Sequence, residues 1–234
     1  MDTGKDSRIT RLSHLIQFSD ATFPVGTFSF SNGLETAAYE GIVTDARSLE
    51  EFSRSAARQA AFSDGVTALA AMRAAKAGDY DGILKADQGL ILFKMNDEAR
   101  LMLRRMGKKL AELAARMTPD PLITKWLEDI NAERTPGTYP VAQGLIFTAA
   151  GLDEEELFAS HQYGVINMVL GAALRLVRVS HYDTQEILYR LAKEIPALYE
   201  EAREMNFDDM NAFVPQIDIL ASLHEKGSMR MFMS

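Results

Sequence analysis

Apolar residues along this chain recur at a helical interval almost throughout. Leu49, Phe52, Ala56 and Ala60 fall three and four residues apart, and so do Met102, Met106, Leu110, Leu113 and Met117. A third stripe runs through Leu188, Leu191, Ile195, Leu198 and Ala202. Sustained alternation of period two is missing, and Gly41-Ile42-Val43 is too short to carry a sheet. The boundaries agree. Asp45 and Asp79 each precede a periodic stretch, Asp120-Pro121 pairs a cap with a proline at the first helical position, and Asp153 leads the acidic turn Glu154-Glu155-Glu156. The pattern predicts helices over 8–18, 31–40, 46–62, 64–77, 80–94, 97–117, 121–133, 140–150, 154–178 and 183–205, with a further turn or two near 213–225.

No repeat period stands out, and the strongest breaker, Thr135-Pro136-Gly137-Thr138, is too short to be a linker. The expected fold is therefore all-α, one compact multi-helix domain over residues 1–234, with 227–234 as a flexible interaction tail. In helix 154–178, Val165, Ile166, Met168, Val169, Leu170, Leu174, Leu176 and Val177 cover most of the circumference, so it is expected at the centre. Gly164 and Gly171 lower its helix propensity and are expected to admit close backbone neighbours; the alternative is a ligand cavity beside them.

Composition narrows the function. The chain has 234 residues, 47% hydrophobic and 25% charged, which suits a globular domain and excludes disorder. It has no cysteine, so disulfides, thiolate metal sites and cysteine nucleophiles are ruled out. A formal charge of -8 disfavours nucleic acid as a partner. The charge-free stretches 135–152 and 157–174 contain prolines, or His161, Gln162 and Asn167, and read as core helices and not as membrane spans. The first residues have no apolar core resembling a secretory signal, so a cytoplasmic location is expected.

Motifs for chemistry are scarce. The chain contains no phosphate-binding loop, no dinucleotide fingerprint, no His-Glu-x-x-His and no Gly-x-Ser-x-Gly. Carboxylate pairs such as Glu50-Glu51, Glu200-Glu201 and Asp208-Asp209 read as solvated helix faces. His14, His161, His181 and His224 are too far apart to chelate as i, i+4 pairs and read as surface or capping residues. His224-Glu225 is the nearest approach to a metal pair, but adjacent helical side chains diverge by about 100°.

Two segments ask for more than packing. Between the first two helices, Phe23-Pro24-Val25-Gly26-Thr27-Phe28 cannot continue a helix, because Pro24 lacks an N–H and Gly26 permits a backbone angle costly to other residues. Phe23, Phe28 and Phe30 surround this turn, either tucked into the core or presented as binding anchors. At the other end, Met229, Met231, Phe232 and Met233 surround Arg230, more apolar surface than a solvated tail needs. Either it orders on a partner or it folds back on its own chain.

These residues resemble a known family. Asp20-Ala-x-x-Pro-x-Gly-x-Phe-x-x-Ser-x-Gly-Leu-Glu35 is similar to the N-terminal signature of the UreF urease accessory proteins, and Ser228-Met-Arg-Met-Phe-Met-Ser234 to the family's ending. Glu98-Ala99-Arg100 with Gly107, Gly144 through Gly151, Gln185-Glu-Ile-Leu188, and Asp218 through His224-Glu225 resemble further family positions, in order along nearly the whole chain. Tyr139 stands where the family usually has histidine, and Gly227 where it usually has tyrosine, with Met229 inserted between Ser228 and Arg230.

The resemblance implies a non-enzymatic, all-α, dimeric scaffold. It would bind UreD (also called UreH) and recruit the GTPase UreG for GTP-dependent nickel insertion into apo-urease, with modulation of UreG hydrolysis as a further implied role. No cofactor would be bound directly: the complex would handle nickel and UreG would bind GTP. The partner-binding residues so implied are Phe23, Pro24, Gly26, Phe28, Phe30, Glu35, Arg230, Met231 and Phe232, with Phe28 and Arg230 foremost for the GTPase. Phe28 stands where many members have tyrosine, so a phenol contact is absent. A rival from another class is a helical small-ligand-binding protein or enzyme with a pocket around Gly164–Leu174, recognisable by a polar cavity holding His161.

Overall fold

A computed structural model describes residues 7–211, 214–224 and 231–232. The described chain runs through α1 (Arg8–Ser19), a 3₁₀ turn at Thr27–Ser29, α2 (Leu34–Tyr39), α3 (Ala46–Ala60), α4 (Val66–Ala77), α5 (Tyr80–Phe93) and α6 (Asp97–Met117). It then forms α7 (Pro121–Asn131), α8 (Tyr139–Ala149), α9 (Glu154–Leu176), α10 (His181–Ala192), α11 (Ile195–Arg203) and α12 (Pro215–His224). Among the described residues no strand forms, and no helix is long and apolar enough to cross a membrane.

The caps read from sequence are made. The Asp45 carboxylate accepts from Ser48 N–H at 2.8 Å, that of Asp79 from Gly82 N–H at 2.9 Å and that of Asp153 from Glu156 N–H at 2.9 Å. Asp120 accepts from both Leu122 and Ile123 N–H, with Pro121 as the first residue of α7. Each cap satisfies donors that a helix start otherwise leaves orphaned.

Three boundaries differ from expectation. The predicted helix 183–205 is two, broken at Lys193 and Glu194; Pro196 has no N–H to continue the ladder and sits in the first turn of α11, where none is needed. The predicted helix 31–40 begins only at Leu34, because Asn32 and Gly33 adopt φ of 53° and 81°. Predicted helices 46–62 and 64–77 are joined, α3 running into α4 through one π-helical turn, Ala61–Gly65.

Two large apolar clusters make up most of the core, and α9 contributes to both. One gathers Phe18, Met72, Leu110, Trp126, Ile146, Phe147 and Leu157; the other gathers Leu34, Leu49, Phe52, Ile166, Val169, Ile187 and Phe232. Helix α8 lies deepest, buried without a break over 140–147. It presses on α4 so closely that a Cβ at Gly144 would meet Ala68 O at 2.8 Å. The Thr135-Pro-Gly-Thr breaker is pinned by Asp87, whose buried carboxylate accepts from Thr135 Oγ1, Gly137 N–H and Thr138 N–H at 2.6–2.9 Å. A breaker held in this way is part of the core.

Candidate functional site

The aromatic turn resolves into three different environments. Asp20 O accepts from Phe23 N–H at 3.0 Å, Phe23 O from Val25 N–H at 2.7 Å, and Gly26 takes φ of 92° to open the 3₁₀ turn. Val25 and Phe30 are buried, and half-buried Phe23 meets Phe18 edge-on at 5.9 Å between ring centroids. Pro24 and Gly26 are exposed. Phe28 alone of the three phenylalanines points outward, 60% exposed. Neither reading of the turn as a unit holds: Val25 and Phe30 root it while Phe28 is displayed.

Beside it lies a recess of ≈ 50 Å³ lined by the turn and by one face of α9, including Phe23, Phe28, Gly164, Asn167, Gly171 and Arg175. A Cβ at Gly164 or Gly171 would meet nothing within 4 Å. Among the described residues, the expected close backbone approach at these glycines is therefore absent. His161 does not line the recess. It is buried elsewhere, its Nδ1 bonded to Gln143 Oε1 at 2.8 Å, and burial pushes its pKa down to about 4. Gln143 Nε2 donates to the Tyr139 hydroxyl at 3.3 Å, so the Gln143 carbonyl accepts from a neutral ring protonated at Nδ1.

The described end of the tail folds back onto the same region. Glu35, in the first turn of α2, accepts from Met231 N–H at 2.7 Å and from Phe232 N–H at 3.0 Å. Its carboxylate also bonds His224 Nε2 at 2.9 Å, while His224 Nδ1 lies 2.9 Å from Glu98 on α6. The ring thus stands between two carboxyl groups, one at each nitrogen. Burial alone would raise the Glu35 pKa; the two tail N–H groups and His224 outweigh it and hold the carboxyl below its usual range. Phe232 is 4% exposed and Met231 60%.

Arg175 closes the arrangement. Its Nη2 donates to Phe28 O at 3.3 Å, and its guanidinium carbon stands 4.2 Å from the Phe232 ring centroid, a cation–π contact. Sequence reasoning passed over Arg175; the available signal was a cation on a face of α9 otherwise made of small, methionine and asparagine residues.

The expectation of surface or capping histidines is corrected for His161 and His224. Both are buried, because each side chain has a hydrogen-bonding partner inside. His224 uses both ring nitrogens on carboxylates, which leaves neither free for a metal, and no group of three acidic or histidine side chains among the described residues could hold one. Glu225 and Arg230, with Gly227, lie outside the described residues. Sequence also missed the buried carboxylates. Asp64 in the π turn bonds Ser63 and pairs with Lys94; burial alone would raise its pKa, and Lys94, His161 and Ser63 together outweigh it and hold the carboxyl below its usual range. An acid between Phe62 and Val66 in an apolar run was the clue.

Fold and site define an all-helical protein that displays one aromatic residue and one guanidinium beside an apolar recess. The UreF family model matches residues 43–192. Urease accessory protein UreF 2 of Brucella canis is 48% identical over 223 residues, covering 95% of this chain and 92% of its own. UreF 1 of Brucella melitensis is 47% identical over the same share, and UreF of Yersinia enterocolitica 45% identical over 221 residues, covering 94% of this chain and 97% of its own. The chain belongs to the UreF family of urease accessory proteins, non-enzymatic maturation factors.

Proposed function

We propose that this protein is the scaffold of urease maturation that binds UreD (UreH) and recruits UreG. UreG then drives GTP-dependent insertion of nickel into apo-urease. In this reading the chain acts as a homodimer in the cytoplasm and binds no cofactor itself. Nickel is handled by the assembled complex and GTP by UreG, whose hydrolysis rate the scaffold modulates. The observation that carries the reading is that the aromatic turn and the tail converge on one side chain: Phe28 O and the Phe232 ring, 204 positions apart, both contact the Arg175 guanidinium. Exposed aromatic anchors and arginine are the residue types that dominate interface energetics. A net charge of -8 favours partners with basic patches, chiefly through the association rate.

The test is recruitment. Phe28→Ala and Arg230→Ala, each folded by circular dichroism, are expected to weaken capture of UreG by about 2 kcal/mol or more, some 30-fold in Kd. Truncation from Gly227 is expected to weaken the complex with UreD. Wild-type affinity in all three overturns the proposal. UreG turnover measured with and without the scaffold gives the sign of the modulation.

A further inference from the structure

We infer that the recess between the aromatic turn and α9 is an anchor pocket, which receives the end of one apolar side chain of the recruited protein with a carboxylate beside it on Arg175. The inference rests on the scaffold reading and says what the recruited surface must present.

The first support is the pair of glycines. Gly164 and Gly171 sit inside a 23-residue helix, where each is less favourable than alanine by about 1 kcal/mol. Elsewhere the buried helical glycines earn their place by packing: Gly107 and Gly144 lie so close to neighbouring backbone that a Cβ would collide. At Gly164 and Gly171 a Cβ would meet open space, so nothing within the described chain requires their smallness. They lie two turns apart on one face and line the recess.

The second support is size and lining. A space of ≈ 50 Å³ holds a few waters or the end of one side chain, far less than the hundreds of cubic ångströms of a cofactor site. Its walls are chiefly apolar, from Phe18, Phe23, Val25, Phe30, Met168 and Ala172.

The third support is charge. Two charged side chains line the recess, Asp20 and Arg175. Asp20 is engaged locally, its Oδ1 accepting from the N–H and the hydroxyl of Thr22 at 2.6 Å each. Exposed Arg175 contacts a carbonyl and a ring but forms no ion pair with a carboxylate among the described residues. Asp20 keeps its charge but points its Oδ1 into its own turn, so Arg175 is the charged side chain that offers hydrogen-bond donors at the recess, and a guanidinium selects a carboxylate.

The experiment uses the preassembled complex of this chain with UreD, titrated calorimetrically with UreG. Gly171→Leu fills the recess from its α9 wall and is expected to weaken binding at least tenfold without lowering the melting temperature, whereas Gly171→Ala stays within twofold. Gly164→Leu serves as the second filling variant should Gly171→Leu fail to fold. Arg175→Gln is expected to weaken binding at least threefold and to flatten its salt dependence. If Phe28→Ala abolishes binding while folded Gly171→Leu and Gly164→Leu bind normally, the pocket is refuted and the scaffold reading survives; if Phe28→Ala, Arg230→Ala and the truncation from Gly227 are also silent, both fall. If the filling variants split a dimer in light scattering yet leave UreG affinity intact, the occupant is a second copy and the inference is overturned.

Discussion

The guanidinium of Arg175 lies 4.2 Å from the centroid of the Phe232 ring, so a helix-borne cation covers a side chain two residues before position 234. Together with the two N–H groups held by Glu35, this contact fastens the described part of the tail to α2 and α9. Truncating a buried Phe to Ala removes about 3 kcal/mol or more of burial, and the cation–π contact goes with it. In Phe232→Ala, amide exchange at residues 231 and 232 is expected to become unprotected while α8 keeps its protection. Unchanged protection at 231 and 232 contradicts the fastening.

Glu35 makes that fastening pH-dependent. Its folded pKa is held below the ordinary 4.5, so the interaction contributes fully above that value and is lost as pH falls through the folded pKa. Tail protection in the wild type is expected to fall off on the acid side of about pH 4.5. Glu35→Gln, which keeps one acceptor oxygen but no charge, is expected to exchange faster at pH 7 and to show a flatter acid profile. Matching profiles for the two proteins would show that another group governs the tail.

The Lys94–Asp64 pair joins α5 to the π turn with both side chains nearly buried. Removing one partner strands the other. Lys94→Met is expected to destabilise by about 3–5 kcal/mol in urea titration, and adding Asp64→Leu to recover a large part of that loss. A double variant as unstable as the single one would mean that packing, and not the stranded carboxylate, sets the cost.

Two glycines give a matched contrast. A Cβ at Gly107 would meet Tyr139 N at 2.6 Å, with Gly137 O and Thr138 C nearer still, so Gly107→Ala drives α6 into a backbone that Asp87 holds fixed. A loss of about 2–3 kcal/mol is expected. Gly164→Ala meets nothing and gains helix propensity, raising stability by about 0.5–1 kcal/mol. Thermal melts of the two variants should move in opposite directions.

Much of the fold was legible because caps and periodicity are local. Asp45, Asp79, Asp120 and Asp153 announce helix starts through bonds to residues two or three positions on, and a single sequence contains both partners. The break before α11 was also written in the chain, as Pro196, but an unbroken apolar stripe from Leu188 to Ala202 masked it. The site was legible only in part. Asp20 to Glu35 and the chain end stood out as segments, yet nothing local distinguishes exposed Phe28 from buried Phe30 two residues later.

By itself, then, the sequence determined most of the helices, the starts capped by Asp45, Asp79, Asp120 and Asp153, the all-α class and the two segments that pack unlike the rest, since these depend on neighbours within a turn or two. Only the tertiary structure decided that the two segments meet. The distance from Glu35 to Phe232 is 197 residues along the chain and one hydrogen bond in space. Glu98, His224 and Arg175 acquire their roles from that meeting, because a carboxylate, a ring or a guanidinium becomes a fastening only when the fold brings its partner within about 3–4 Å.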